Sequence, residues 1–249
     1  MNSGNTQEPK VALVTGSGRR IGAAIIRCLH GAGYRVAIHC HKSITEAQEL
    51  AHCLNTQRKN SAAVFSQDLE AADAAKQLIQ AVSLWGLRLD LLVNNASIFL
   101  KTDFQPQMQQ FAQLFHLNVH IPYLLSVEAR PYLKHTQGSI VNITDIHAQK
   151  PLREYSLYCQ TKAALAMQTQ SLALEWAPTI RVNAVAPGAI AWPEQENTLS
   201  EDARNKIIAK IPLQHHGDPR YIAQAVLALA ENPYITGQTI NVDGGRSIR

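Results

Sequence analysis

The sequence predicts a doubly wound α/β fold, a parallel sheet with helices on both faces. Two observations carry this prediction. Short runs rich in Val, Ile and Leu alternate with longer segments of helical periodicity along the whole chain. The short runs are apolar at nearly every position, as strands are when helices cover both of their faces. No low-complexity linker and no internal repeat interrupts the 249 residues, so one domain is expected over 10–249, after a flexible tail over 1–9.

VALVT (11–15) is the first strand and enters a glycine-rich turn, followed by a helix over 21–33 that ends in Gly33. RVAIH (35–39) and a helix over 45–58 come next, then AAVFS (62–66) and a helix over 71–85. DLLVNN (90–95) leads into a long helical stretch, 107–134, and SIVNIT (139–144) into another, 155–176. IRVNAVA (180–186), helices over 200–209 and 218–230, and a last strand QTINVD (238–243) complete the pattern.

Composition excludes several function classes. Apolar residues at 46% and charged residues at 17% are ordinary for a globular protein. The net charge of +4 is small and dispersed, which argues against nucleic acid and suits an anionic small ligand. MNSGNTQEPK at the start is polar, and no later run approaches the length of a membrane span, so a cytoplasmic protein with no membrane partner is expected. Cys28, Cys40, Cys53 and Cys159 show no C-x-x-C spacing, and buried reduced thiols are expected. The ten histidines form no H-E-x-x-H or Cys/His cluster, and His215-His216 falls in a loop, so no metal site is expected.

The turn after VALVT reads G-S-G-R-R-I-G (16–22) and opens a helix. Glycines there let the backbone approach a phosphate, and the helix N-terminus supplies free N–H groups, as in a Rossmann-type unit. A plain strand–turn–helix is the alternative. The spacing is T-G-x-x-x-R-x-G, with Arg20 and Ile21 inside it, not G-x-G-x-x-G. The second strand then decides the nucleotide. An acid at its end would bind a ribose 2′-hydroxyl, but none occurs between Gly33 and Glu46. His39, His41, Lys42 and Ser43 offer donors and positive charge instead, which favours a 2′-phosphate and hence NADPH; a basic strand end facing water is the alternative.

Asn94-Asn95-Ala96-Ser97, Tyr158-x-x-x-Lys162 and Pro187-Gly188 complete a set that resembles the short-chain dehydrogenase/reductase family from about residue 10 to the end. The resemblance implies hydride transfer with a nicotinamide cofactor. It places Gly16, Asp68, Leu69, Asn95, Ala96, Ser97, Thr144, Tyr158, Lys162, Pro187, Gly188 and Ile190 at the cofactor, with Asp68 near the adenine; a helix cap is the alternative for Asp68. Lys162 would bind the nicotinamide ribose and lower the Tyr158 pKa, and Asn118 would support a proton-relay water. It also implies a homotetramer built on the helices near 107–134 and 155–176 and the last strand.

Asp145 stands where ketone-reducing members place a serine donor. An ionised carboxylate cannot donate and would oppose an alkoxide, whereas it favours a protonated imine. A helix cap or ion-pair partner is the structural alternative for Asp145. Arg20, His39-x-His41-x-Ser43, Asn95-Ala96-Ser97-x-Phe99 and Asp145 together are similar to the pteridine reductase branch, including dihydromonapterin reductases. That similarity implies NADPH-dependent reduction of dihydropterins, and of dihydrofolate, to tetrahydro forms. Arg20, Ser97, Asp145 and Tyr158 would contact the pterin, Phe99 would stack on it, and Trp192 falls in the loop that shapes the pocket. Two alternatives stay open: a carbonyl reductase of 3-oxoacyl thioesters using protonated Asp145, and a non-catalytic NADPH-binding regulator.

Overall fold

The computed structural model describes residues 8–103, 108–190 and 200–249. Its centre is a seven-stranded parallel sheet in the order β3-β2-β1-β4-β5-β6-β7. The strands are β1 (Val11–Val14), β2 (Arg35–Cys40), β3 (Ala62–Ser66), β4 (Leu91–Asn94), β5 (Ser139–Ile143), β6 (Arg181–Pro187) and β7 (Thr239–Val242). The helices are α1 (Arg20–Gly31), α2 (Ile44–Gln57), α3 (Ala74–Gly86), α4 (Met108–Phe115), α5 (Ile121–Thr136), α6 (Ser156–Trp176), α7 (Glu201–Ile208) and α8 (Pro219–Glu231).

The continuous apolarity of the strands has a direct structural cause. Along β1, Ala12 and Val14 enter one core, with Ile25, Ile26 and Leu29 of α1 and Val226 and Leu229 of α8. Val11 and Leu13 enter the other, with Leu78 and Val82 of α3, Leu125 and Leu133 of α5 and Leu172 of α6. Successive side chains point to opposite faces, and both faces are covered. Each fully buried aliphatic side chain adds about 1.5–3 kcal/mol, so the two-sided core dominates folding. The chain begins at the middle of the sheet, winds outward to β3, then crosses back to β4. The β1–β4 junction is therefore the switch point at whose carboxyl ends ligands bind in such sheets.

Most element boundaries differ from expectation by a residue or two, and three of the differences have a clear local cause. The first strand ends at Val14, because the Thr15 hydroxyl turns to cap the end of β4. The third helix starts at Ala74, since Asp73 adopts a left-handed conformation with φ 58°. The long helix over 107–134 is broken by a π turn, His116–His120, in which Ile121 donates its N–H to His116 O. Pro122, which follows, has no N–H to continue the α-helical ladder. Of the four thiols, all free, only Cys40 is buried; Cys53 is exposed, contrary to the expectation of burial. Among the described residues, no helix is long and apolar enough to cross a membrane.

Candidate active site

The carboxyl ends of β1 and β4 are cross-linked by side chains. Thr15 Oγ1 accepts the N–H groups of Asn95 and Ala96, each at 3.0 Å. Asn95 Nδ2 donates to Thr15 O at 2.8 Å and to Gly16 O at 3.0 Å. Gly16, at φ 59°, lies so close to β4 that a Cβ would stand 3.0 Å from Ala96 Cα. A Cβ on Gly22 would stand 2.6 Å from Gly16 O and Ser17 Cα, so α1 is seated directly on this loop. Arg20 is exposed at the first helical position with φ 55°, a conformation that costs a non-glycine residue about 1–2 kcal/mol. Ile21 packs against the core behind it. Such a close-packed turn at a helix N-terminus fits a dinucleotide pyrophosphate, with Gly16, Arg20 and Ile21 as the groups that would hold it.

His39 corrects one expectation. It is 2% exposed, its Nδ1 accepts the Gly16 N–H at 3.0 Å, and its Nε2 lies 3.1 Å from Gln67 O. This pairing requires the proton on Nε2, and burial pushes the pKa down to about 4, so His39 is neutral at physiological pH. Its role is to hold the glycine turn, and it offers a ligand no charge. His41 and Lys42 are exposed at the strand end, with His41 Nδ1 at 3.8 Å from Asp68 Oδ1. Ser43 fills the space that a Gly18 side chain would occupy, its Oγ 2.5 Å from that ideal Cβ. Asp68 also accepts the Glu70 N–H, so it caps a turn and not a helix, since α3 starts only at Ala74; the Leu69 side chain is core.

Beyond β4, Ser97 is exposed and Phe99 half-buried. Phe99 stacks on Tyr155, centroids 4.2 Å apart at 12°, and meets Tyr158 edge-on at 4.7 Å. The loop carrying them is held at two points. Asn118, on the π turn, accepts the Ile98 N–H at 2.9 Å and donates to Ile98 O at 3.0 Å and Thr161 Oγ1 at 3.1 Å. Thr102 donates its N–H to Glu154 O, and its Oγ1 accepts the Leu157 N–H at 3.2 Å. Asn118 is thus an amide clamp with both ends engaged by protein atoms. Tyr155 and Thr102 were not identified from the sequence; the i, i+3 spacing of Tyr155 and Tyr158 is the signal that could have found Tyr155.

The catalytic candidates meet at the ends of β5 and α6. Asp145 serves both readings: Oδ1 caps a short 3₁₀ turn, Ile146–Ala148, by accepting the His147 N–H at 2.8 Å, and Oδ2 accepts the Tyr158 hydroxyl at 2.8 Å. Lys162 Nζ donates to Ile143 O at 3.0 Å and lies 5.7 Å from the Tyr158 ring centre. Burial, then the charge and hydrogen bond of Asp145, hold the Tyr158 phenol well above its ordinary value. Burial pushes the Lys162 ammonium down to about 8, opposed by Asp145. The expected lowering of Tyr158 is therefore not a property of the protein alone, because the nearest charge is negative.

The remaining candidates frame this pair. The Thr144 hydroxyl donates to Val185 O at 3.1 Å and is buried, so it secures β5 to β6. Pro187 ends β6, and a Cβ on Gly188 would stand 2.6 Å from Asp243 Cβ. Ile190 is buried against Gly217. Trp192 lies outside the described residues. The Asp243-Gly-Gly-Arg246 turn contributes a residue given no role from sequence. Asp243 accepts the N–H groups of Gly245 and Ser247, and Arg246, lowered by burial, is influenced by the charges of Asp145 and then Asp243. Lys150 Nζ donates to Arg246 O at 3.2 Å and to Arg249 O, fastening this C-terminal turn to the Asp145 loop.

The family model described as enoyl-(acyl carrier protein) reductase matches residues 16–247. The chain belongs to the short-chain dehydrogenase/reductase family. It is an oxidoreductase of a family that uses NAD(P)H. The chain is 35% identical to pteridine reductase 1 of Leishmania tarentolae, with 96% of each chain covered. It is also 35% identical to a 3-oxoacyl-[acyl-carrier-protein] reductase of Rickettsia prowazekii, covering 95% of this chain and 96% of that one. A putative ketoacyl reductase of granaticin polyketide synthesis from Streptomyces violaceoruber is 34% identical, with 96% of each chain covered. Identity alone therefore does not choose among substrates within the short-chain dehydrogenase/reductase family.

Proposed function

We propose that this protein is an NADPH-dependent pteridine reductase, reducing a ring C=N of dihydropterins such as dihydrobiopterin or dihydromonapterin, and of dihydrofolate. The observation that carries this reading is the carboxylate of Asp145 at 2.8 Å from the Tyr158 hydroxyl. A ketone reductase needs a second donor there; a reaction through a protonated ring nitrogen is helped by a negative charge. NADPH, when bound, supplies the hydride. Tyr158, protonated far above neutrality, delivers its proton to the imine nitrogen, and Asp145 orients the phenol and balances the resulting cation. Lys162 would hold the nicotinamide ribose, and Arg20, His41 and Lys42 would favour the 2′-phosphate at a strand end that lacks an acid. Ser97 would bond the pterin and Phe99, backed by Tyr155, would form the flat wall of its pocket.

A second reading, reduction of a 3-oxoacyl thioester, draws on the Rickettsia relative and requires Asp145 to act protonated. Exposed Tyr123, Val127, Met167 and Leu174 on α5 and α6 support a homotetramer, which we place in the cytoplasm. NADPH oxidation measured with dihydrobiopterin, dihydromonapterin, dihydrofolate and an acetoacetyl thioester tests the assignment. Turnover of the pterins supports it, turnover of the thioester alone rejects it, and NADPH binding with no turnover of any substrate points to a regulator.

A further inference from the structure

The glycine turn before α1 and the loop after β3 come from different segments, and one buried side chain joins them. The Gly16 N–H can only donate, so the His39 Nδ1 that receives it at 3.0 Å carries a lone pair and the ring proton sits on Nε2. That Nε2–H donates to Gln67 O at 3.1 Å, one residue beyond β3. The His39 carbonyl accepts the Ser17 N–H at 2.8 Å, so the first two amides of the turn are both held by this residue. The next carbonyl, Cys40 O, accepts the Gln67 N–H at 2.9 Å. Gly18 brings the same turn against the N-cap of α2, where its Cβ would stand 2.5 Å from Ser43 Oγ.

We propose, on the cofactor reading above, that His39 is a positioning residue: a strut that fixes the separation between the pyrophosphate turn and the adenine-side loop. Gly16 belongs to the turn that would hold the pyrophosphate, and Gln67 precedes Asp68, whose carboxylate stands 3.8 Å from His41 at the end of β2. A neutral imidazole carries one acceptor and one donor at fixed places on a rigid ring, and each meets a main-chain group of the opposite kind. His39 is buried, so losing either bond leaves a main-chain group facing a side chain that cannot pair with it. A dinucleotide gains from both ends at once only where their separation is set before it binds. A mononucleotide that touches one end needs only that end in place.

Nucleotide binding to the full-length protein tests this with two probes: NADPH, which spans both ends, and 2′-AMP, which is confined to the adenine side. His39→Asn keeps an acceptor at the Nδ1 position for Gly16 and gives up the Gln67 bond. His39→Gln reaches the Nε2 position and keeps the Gln67 bond while leaving the Gly16 N–H unpaired. Each variant loses one bond, so both should lower Tm alike. NADPH affinity should fall about tenfold or more in both. The 2′-AMP affinity should stay within about threefold of wild type in His39→Gln but fall with that of NADPH in His39→Asn. Parallel losses of both nucleotides in both folded variants would follow from a general loosening of the fold and would overturn the strut, as would unchanged NADPH affinity. Wild-type preference between NADPH and NADH tests the cofactor reading separately; if NADH is preferred, NADH and 5′-AMP serve as the probes and the contrast between variants stands. Nitrogen NMR of the ligand-free protein checks the geometry without any nucleotide: His39 Nδ1 should be unprotonated and Nε2 protonated, and the opposite tautomer overturns the proposal.

Discussion

Asp145→Ser is the substitution that most directly tests the sign of the charge at the site. Serine is as good an N-cap as aspartate, so the His147 N–H keeps an acceptor and fold stability should change by less than about 1 kcal/mol. What changes is the charge. Asp145 Oδ2 lies 2.8 Å from the Tyr158 hydroxyl, so a substrate atom receiving the Tyr158 proton would stand about 4 Å from the carboxylate. At an effective dielectric of about 20, a unit charge there interacts with it by about 4 kcal/mol, or about a thousandfold in rate. Proton transfer leaves a phenolate beside the carboxylate in either reaction, so that cost cancels in the ratio of the two; what remains favours a protonated imine over an alkoxide, and the substitution shifts the ratio toward the alkoxide reaction. Arg246 partly screens the carboxylate, and a relative change of at least about a hundredfold is expected. The assay is NADPH oxidation with dihydrobiopterin and with an acetoacetyl thioester, for wild type and variant. The ratio of dihydropterin to thioester turnover should fall, with NADPH affinity retained. A folded variant whose ratio of the two activities is unchanged would refute the electrostatic reasoning.

Arg20→Gly relieves a left-handed arginine, so thermal stability should not fall and should rise by up to about 1 kcal/mol, while NADPH affinity drops about tenfold or more. Loss of stability with unchanged NADPH affinity would mean that Arg20 serves the fold. Gly22→Ala forces a methyl to within 2.6 Å of Gly16 O and Ser17 Cα; chemical denaturation should show a loss of about 2 kcal/mol or more, with weakened cofactor binding. Lys162 gives a stability signature as well as a catalytic one. Its pKa is lowered on folding from 10.5 to about 8, so the cost of burying the ammonium is fully present below pH 8 and is relieved as pH rises toward 10.5. Relative to inactive Lys162→Met, the wild type should gain up to about 3 kcal/mol across that window, measured by denaturant unfolding. A pH-independent difference would reject the shift. In the same window wild-type kcat/KM should fall as the ammonium is lost.

The fold was legible because its signal is repeated. The inner strands alternate between two apolar cores, so those segments announced themselves, as did the helices between them. Boundaries were less so, because they depend on local polar bonds: Thr15 leaves β1 to cap β4, and the π turn follows from Pro122 and the inward Asn118. Tyr158 and Lys162 could be set on one helix face from their i, i+4 spacing, whereas Asp145 was pointed to by the family resemblance. His39 shows the limit. Its residue type suggested charge, but charge depends on burial and partners, and both ring nitrogens face protein atoms. Thr102 and Arg246 act through contacts between segments far apart in sequence, which no local pattern encodes, and Tyr155 had only its i, i+3 spacing from Tyr158 to mark it.

The carboxylate also accounts for the behaviour of the other two catalytic groups. It raises the pKa of both neighbours, adding to burial at the Tyr158 phenol and opposing burial at the Lys162 ammonium. Without Asp145, the phenol would lose its proton more readily and the lysine would be neutral closer to physiological pH. With it, both groups hold their protons at neutrality. The carboxylate makes donation from the phenol more costly for any substrate, but the cation that results on C=N offsets part of that cost, whereas the charge that develops on C=O adds to it. Lys162 does not cancel this bias, because its ammonium is bound to the Ile143 carbonyl and lies 5.7 Å from the phenol ring, whereas the carboxylate is in direct contact with the phenol oxygen. That ordering suits addition of a proton and a hydride across C=N, and it is the reverse of what an alkoxide requires.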